Sequence, residues 1–314
     1  MERNITLDYL KLVLALLVLL AHCHNSLAEI PYLGWSISQG LSRVTMPIFF
    51  IINGFYLQPI IHDKAKVKRY LYNLLKLYLL WMVIYVPFQT IVAGTKTDPT
   101  VIRVLYWVFG WGHLWYMSAL MGAVVLVYFA KRIGLGNKLL LGIGFLLFLS
   151  VYTYQHLFLF GFDIPTTSYM FTKTFLFTGF PYLFIGFYIR DEGVIDRFRI
   201  TKTTYVLTGL LLLGVLGESV AFYVWKTHTD FYLLLPFVAP LIFILVFKKG
   251  RMGVSDGFVA QLSSAVYYSH LFFICMIERT TDFTQTNLFI LSVFVTLIMS
   301  TALIVLNRHI KVFL

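Results

Sequence analysis

The sequence predicts an all-α membrane protein with about ten transmembrane helices and both termini cytoplasmic. Three observations predict it. Of 314 residues, 59% are hydrophobic and only 12% are charged, where soluble domains carry about 25% charge. The apolar residues fall in ten stretches near the ~20 residues a helix needs to cross hydrocarbon. They are continuous, unlike the alternating ten-residue segments of a membrane β-barrel. Lys and Arg collect in every second gap, and 18 of the 25 lie on one side, which the positive-inside rule makes cytoplasmic.

In chain order the expected spans are 5–27, 37–60, 70–93, 104–130, 139–160, 169–189, 204–225, 231–247, 258–277 and 286–307. The fourth is overlong, with room for an interfacial helix before Gly112. The first resembles a secretory signal, with Lys11, an apolar run and Ser26-Leu27-Ala28. Asp8, His22 and His24 within it are odd cargo for a disposable peptide, so the segment is expected to be retained. No connecting loop is long enough for a domain, and the chain reads as one unit, 1–314. No 20–50-residue repeat and no inverted pair of broken helices appears. Cys23 and Cys275 lie inside apolar stretches and offer no disulfide or metal framework. The net charge of +11 would suggest nucleic acid in a soluble chain. Here it belongs to short connections, and the expected surroundings are membrane lipids.

Any chemistry must therefore sit among the helices, where an ionisable group costs about 2.5–3.5 kcal/mol and reads as functional by default. The first span carries Asp8, Lys11, His22 and His24. At 100° per residue, Lys11 and His22 differ by about 20° in azimuth and about 16 Å along the axis, and Asp8 lies within about 40° of His22. One stripe thus carries Asp8 and Lys11 at the inner end and His22 towards the outer end. Arg43, His113, Lys173, Glu218 and His270 fall at a similar depth to His22 on five other spans. At the inner face, Lys64, Lys66, Lys68, Arg69 and Lys76 could neutralise phosphate oxygens, or serve only as a positive-inside loop. The pattern suggests an anionic ligand inside, a histidine about three turns outward and a polar vestibule outside. Histidine suits proton abstraction near neutral pH. On residues alone, a proton-coupled transporter or exporter of an anionic solute fits equally well, and a non-catalytic scaffold fits less well.

Six motifs resemble the membrane-bound acyltransferase-3 family, in family order across nearly the whole chain. Leu7-Asp8-Tyr9-Leu10-Lys11 followed by His22 is similar to L-D-x-L-R with a histidine eleven residues on, with Lys11 for the usual Arg. Arg43 through Pro47, Phe49-Phe50 and Asn53-Gly54-Phe55 resembles R-x-x-x-P-x-F-F-x-x-S-G-F. Lys68-Arg69 with Trp81 and Tyr85 resembles the basic run and W-S-x-x-Y of the third span. His113-Leu114-Trp115-Tyr116 resembles H-L-W-F/Y. Lys173-Thr174 through Phe180-Pro181 and Gly186 resembles R-N-x-x-F-x-G-x-P-F-x-x-x-G. Ser264 through Tyr267 and His270 resembles S-x-x-I-Y-x-x-H.

The resemblance implies acyl transfer from cytoplasmic acyl-CoA, usually acetyl-CoA, to a hydroxyl of a cell-envelope glycan or lipid-linked sugar, in a bacterial inner membrane. The form expected is the stand-alone polysaccharide O-acetyltransferase type, without the hydrolase-like or racemase domain fused in some relatives. His22 would be the base, or carry a transient acyl group, and Asp8 would orient Lys11. Lys11, Lys68, Arg69 and Lys76 would hold the CoA phosphates. Arg43, His113 or Tyr267 would stabilise the oxyanion. Trp115, Lys173, Glu218 and His270 would complete the acceptor site. No metal is expected.

Overall fold

The computed structural model describes residues 2–23, 30–92, 100–157, 161–162, 171–226, 229–283 and 285–314. His24, Ser26-Leu27-Ala28 and Lys96 lie outside them. Among the described residues the architecture is all-helical apart from one ribbon. In it β1 (Glu2–Asn4) pairs antiparallel with β2 (Met252–Val254), Asn4 opposite Met252. The ribbon fixes where the first helix begins. Asn4 accepts from the Leu7 amide at 3.0 Å as N-cap of α1 (Ile5–His22) and donates to the Phe247 carbonyl at 3.0 Å.

Eight helices are long and apolar enough to cross a membrane, by length and composition, among the described residues: Ile5–His22, Pro31–Ile60, Lys64–Pro87, Gly112–Arg132, Asn137–Gln155, Lys202–Val224, Phe258–Thr280 and Thr286–Ile310. The other two expected spans are shorter. Span 169–189 consists of a π-turn, Phe175–Gly179, leading into the 12-residue Phe180–Asp191. Span 231–247 is the 15-residue Leu235–Lys249. Span 37–60 is also interrupted. A short α2 (Pro31–Trp35), a π-turn (Ser36–Gly40) and a 3₁₀ turn (Leu41–Val44) precede α3 (Thr45–Leu57). The overlong fourth stretch divides into α5 (Thr100–Phe109) and α6 (Trp115–Arg132), after α4 (Lys64–Val92). In chain order the rest are α7 (Asn137–Gln155), α8 (Phe180–Asp191), α9 (Val194–Arg197), α10 (Lys202–Val224), α11 (Leu235–Lys249), α12 (Phe258–Thr280) and α13 (Gln285–Ile310).

The innermost contact is between α3 and α8. A Cβ at Gly54 would fall inside the van der Waals shell of the Leu183 carbonyl, and one at Gly186 inside that of the Ile51 carbonyl. Small residues let two backbones touch, the usual device where lipid supplies no hydrophobic drive between helices. Gly179 similarly admits the Ala119 carbonyl of α6, 2.8 Å from where its Cβ would be. Around this centre, α1 packs along α12 and α12 along α13. Outward faces stay apolar at helical spacing: Ile290, Phe294 and Ile298 on α13, and Leu75, Leu79 and Val83 on α4, are exposed, as lipid-facing side chains should be. A cavity of about 830 Å³ opens among α7, α8, α10 and α11, lined by Leu141, Phe145, Pro181, Leu207 and Leu241, with Lys138 at its rim. None of the expected site residues lines it.

Gly54→Ala and Gly186→Ala are each expected to lose about 1–3 kcal/mol or more by overpacking. Thermal melting in detergent checks this beside Gly142→Ala, where nothing lies within 4 Å of an added Cβ and no loss is expected.

Candidate active site

The stripe on α1 forms as its spacing requires. At the end near the ribbon, buried Asp8 pairs with Arg3 at 2.9 Å and with Lys11 at 3.3 Å. At the other end His22 is the last helical residue, partly exposed. Fourteen residues of helix put Asp8 about 21 Å from His22. Asp8 therefore belongs to the Lys11 end and does not reach the imidazole.

His22 meets two other histidines. Its ring centroid is 5.3 Å from that of His270 and 6.4 Å from that of His113, and those two are 4.6 Å apart. His270 comes from α12, which packs on α1. His113 comes from a 3₁₀ turn between α5 and α6 that depends on two glycines. Gly110 and Gly112 have φ of 90° and 53°, the left-handed region open mainly to glycine. Ser118 Oγ donates to the Phe109 carbonyl at 2.6 Å and ties the turn to α6.

His113 and His270 are 1% and 0% exposed. Tyrosines wall them in. Tyr267 packs edge-on to His113 at 5.2 Å and donates its hydroxyl to the His113 carbonyl at 2.7 Å. Tyr85 packs edge-on to His113 at 5.2 Å. Its hydroxyl donates to the Tyr268 carbonyl at 2.7 Å and accepts from the Phe272 amide at 3.2 Å, bridging one turn of α12 beside His270. Both phenolic protons are thus committed to backbone. The buried Nδ1 and Nε2 of His113 and the Nε2 of His270 have no hydrogen-bond partner. Buried polar groups are rarely left so. Among the described residues no three His, Cys, Asp or Glu side chains are set to hold a metal ion.

A polar rung runs below the cluster. Tyr70 of α4 donates to Asn53 Oδ1 at 2.8 Å, and Asn53 Nδ2 donates to the Tyr116 hydroxyl at 2.8 Å and to the Phe49 carbonyl at 2.9 Å. Tyr116 packs 5.8 Å from Tyr267. On α4, Lys68, Arg69 and Lys76 present exposed side chains, with Arg69 and Lys76 about 20° apart in azimuth. α1 and α4 both pack on α12.

The remaining expected site residues lie elsewhere. Arg43, just before α3, and Lys173, before α8, meet on one carboxylate. Lys173 Nζ is 2.8 Å from Asp230, and Arg43 pairs with the same carboxylate while donating to Gln39 Oε1 at 2.6 Å. Gln155 ties the cluster to α7, accepting from the Asp230 amide at 3.2 Å and from Thr229 at 2.7 Å. Arg43 is thus held by an acid rather than aimed at the imidazoles. Glu218 accepts from the Leu233 and Leu234 amides at 2.8 and 3.3 Å. It caps the start of α11, where free amides favour an anion. Trp115 packs against Phe50, centroids 6.4 Å apart.

The Acyltransferase domain family matches residues 4–307 of the chain. The chain belongs to the acyltransferase-3 family. The chain is also similar to an amino-acid racemase of Enterococcus faecalis, 24% identical over 98% of this chain and 47% of that protein. It therefore spans about half the length of that curated relative. No solved structure matches it.

Asp230, Gln155 and Gln39 are structural partners that sequence reasoning missed. A lone acid in a short connection reads as loop, and only folding shows which cations it joins. Tyr85 and Asn53 were visible inside motifs, with no hint of what they bond. Asp230→Asn leaves Arg43 and Lys173 facing each other without an anion. An expected loss of about 1–3 kcal/mol, below that of a fully buried pair, is checked by melting in detergent. Adding Lys173→Gln should recover part of it.

Proposed function

We propose that the protein is an O-acyltransferase of the bacterial cytoplasmic membrane. It moves an acyl group, acetyl in the simplest case, from cytoplasmic acyl-CoA to a hydroxyl of a cell-envelope glycan or glycolipid. The observation that carries this reading is the single stripe on α1. A lysine held by Asp8 stands at one end, and a partly exposed histidine at the other enters a buried imidazole cluster. An acyl-CoA has matching parts, with phosphates at one end of a long arm and a thioester at the other.

Lys11, with the exposed cations of α4, would take the phosphates by charge-assisted hydrogen bonds. A lysine acts as a point charge and lacks arginine's bidentate fork, so several cations would share the task. His22 would accept the proton of the acceptor hydroxyl as its oxygen attacks the thioester carbonyl. The C–S bond then breaks, and the proton passes from His22 to the departing thiolate. Products are the ester and free CoA, with no net change in protonation. His113, with two unpartnered ring nitrogens and its ring 6.4 Å from that of His22, would donate to the developing oxyanion. Arg43 and Lys173 are bound to Asp230 and would shape the acceptor's approach instead.

Purified protein in nanodiscs, given acetyl-CoA with or without a cell-envelope glycan extract, is expected to release CoA. His22→Ala should lower that rate at least ~100-fold, while Lys11→Glu should raise KM for acetyl-CoA with a smaller effect on kcat. Movement of an anionic solute across vesicles with no CoA released from any acyl-CoA would sink the reading in favour of transport.

A further inference from the structure

The function of His270 follows from where its protons are. Its Nδ1 lies 3.0 Å from the Val266 carbonyl and 2.7 Å from the Tyr267 carbonyl. Carbonyl oxygens only accept, so Nδ1 carries a hydrogen. In a neutral imidazole the other nitrogen is then a bare acceptor. That Nε2 is fully buried and has no partner. It cannot be served by the flanking tyrosines, since Tyr85 and Tyr267 give their protons to the Tyr268 and His113 carbonyls. Among the described residues, the imidazoles of His22 and His113 pack against it.

Both stand near hydrogen-bonding range. An N–H···N bond of about 2.9 Å between ring edges sets the centroids roughly 5 Å apart. His22 stands at 5.3 Å. His113 stands at 4.6 Å with its plane tilted 59°. Exposure separates them: His113 is as enclosed as His270, while His22 is partly exposed and open to a substrate. The pair has the layout of a base that meets substrate and a second group behind that fixes its tautomer.

We infer that His270 is the positioning residue of His22. Resting on the acyl-transfer reading above, its Nε2, unpaired in the structure, takes the N–H of His22 when the acceptor hydroxyl binds, turns the opposite nitrogen of His22 towards that hydroxyl as a lone pair, and stabilises the imidazolium formed as the hydroxyl gives up its proton. The logic is that of a carboxylate behind a catalytic histidine, with a neutral imidazole in the carboxylate's place.

The test measures CoA release from acetyl-CoA by the full chain in nanodiscs, comparing His270→Phe, His270→Gln, His113→Phe and His22→Ala with the wild type. Phenylalanine keeps the ring volume without an acceptor, and glutamine restores an acceptor oxygen near the position of Nε2. The expected result for His270→Phe is a kcat at least ~100-fold lower with KM for acetyl-CoA changed less than about threefold. His270→Gln should regain about tenfold or more of the lost kcat. A structural role would lower both variants alike, or move KM with kcat. If His270→Phe does not fold, His270→Gln beside wild type carries the comparison: a kcat below a hundredth of wild type overturns the assignment. Wild-type kcat in His270→Phe, or loss confined to His113→Phe, also overturns it while leaving the acyl-transfer reading intact. No CoA release by the wild type overturns that reading and the assignment together.

Discussion

The close crossing of α3 and α8 is the constraint from which the rest of the structure follows. Gly54 and Gly186 bring each backbone against the other's carbonyls, and the two helices run in the same direction. Their starting ends are joined through Asp230, which takes Arg43 from one and Lys173 from the other. Their far ends are joined by Gln58, which donates to Asp191 at 2.8 Å. Two parallel helices in contact bring like charges at corresponding positions together. Here both leading segments end in a cation, so an anion between them is an electrostatic requirement of the packing. The same crossing holds Asn53 against Tyr116 and so sets α6, and the 3₁₀ turn that leads into α6 carries His113 into place.

Most polar groups inside this bundle have partners, as the cost of leaving them bare in apolar surroundings demands. Lys131 donates to Asn137, which in turn donates to Asp191 and Glu192. Gln155 bonds Thr172, Thr229 and the Asp230 amide. The buried side-chain atoms without partners among the described residues include three on the imidazoles beside His22. Turn glycines and tyrosine-to-carbonyl bonds fix that cluster. Rigid surroundings with unmet hydrogen-bonding capacity are the arrangement expected of a site that meets its partners only when substrate enters.

The helix period was enough to read the α1 stripe. Asp8, Lys11 and His22 share a face because 3.6 residues make a turn, and no tertiary contact alters that. The depths of His113 and His270 were legible for the same reason. What they touch was not, because azimuth between different helices is set by packing. Arg43, Lys173 and Glu218 were legible as polar groups out of place. Their partners were invisible: Asp230 and the amides of Leu233 and Leu234 lie in a connection whose path the sequence does not encode locally. The π-turns ahead of α3 and α8 also escaped, since hydropathy does not register one extra residue in a turn. Gly54 and Gly186 were quoted within motifs, and only the folded pair shows that each exists for the other.

A membrane interior explains the choice of group behind His22. A carboxylate there would bring a full charge into apolar surroundings at a cost of several kcal/mol. Here three acids sit at the ends of the bundle with cations, Asp8 with Arg3 and Lys11, Asp191 near Lys131, and Asp230 with Arg43 and Lys173. An imidazole whose Nδ1 hydrogen is held by two helical carbonyls offers a directed acceptor without a resting charge. Charge arises only while His22 holds the substrate's proton, and is gone when the thiolate takes it. The helix that supplies His270 also supplies Tyr267 and Tyr268, which bind the His113 turn and Tyr85. One turn of α12 thereby sets the acceptor atom, its tautomer and the wall that keeps other donors from it.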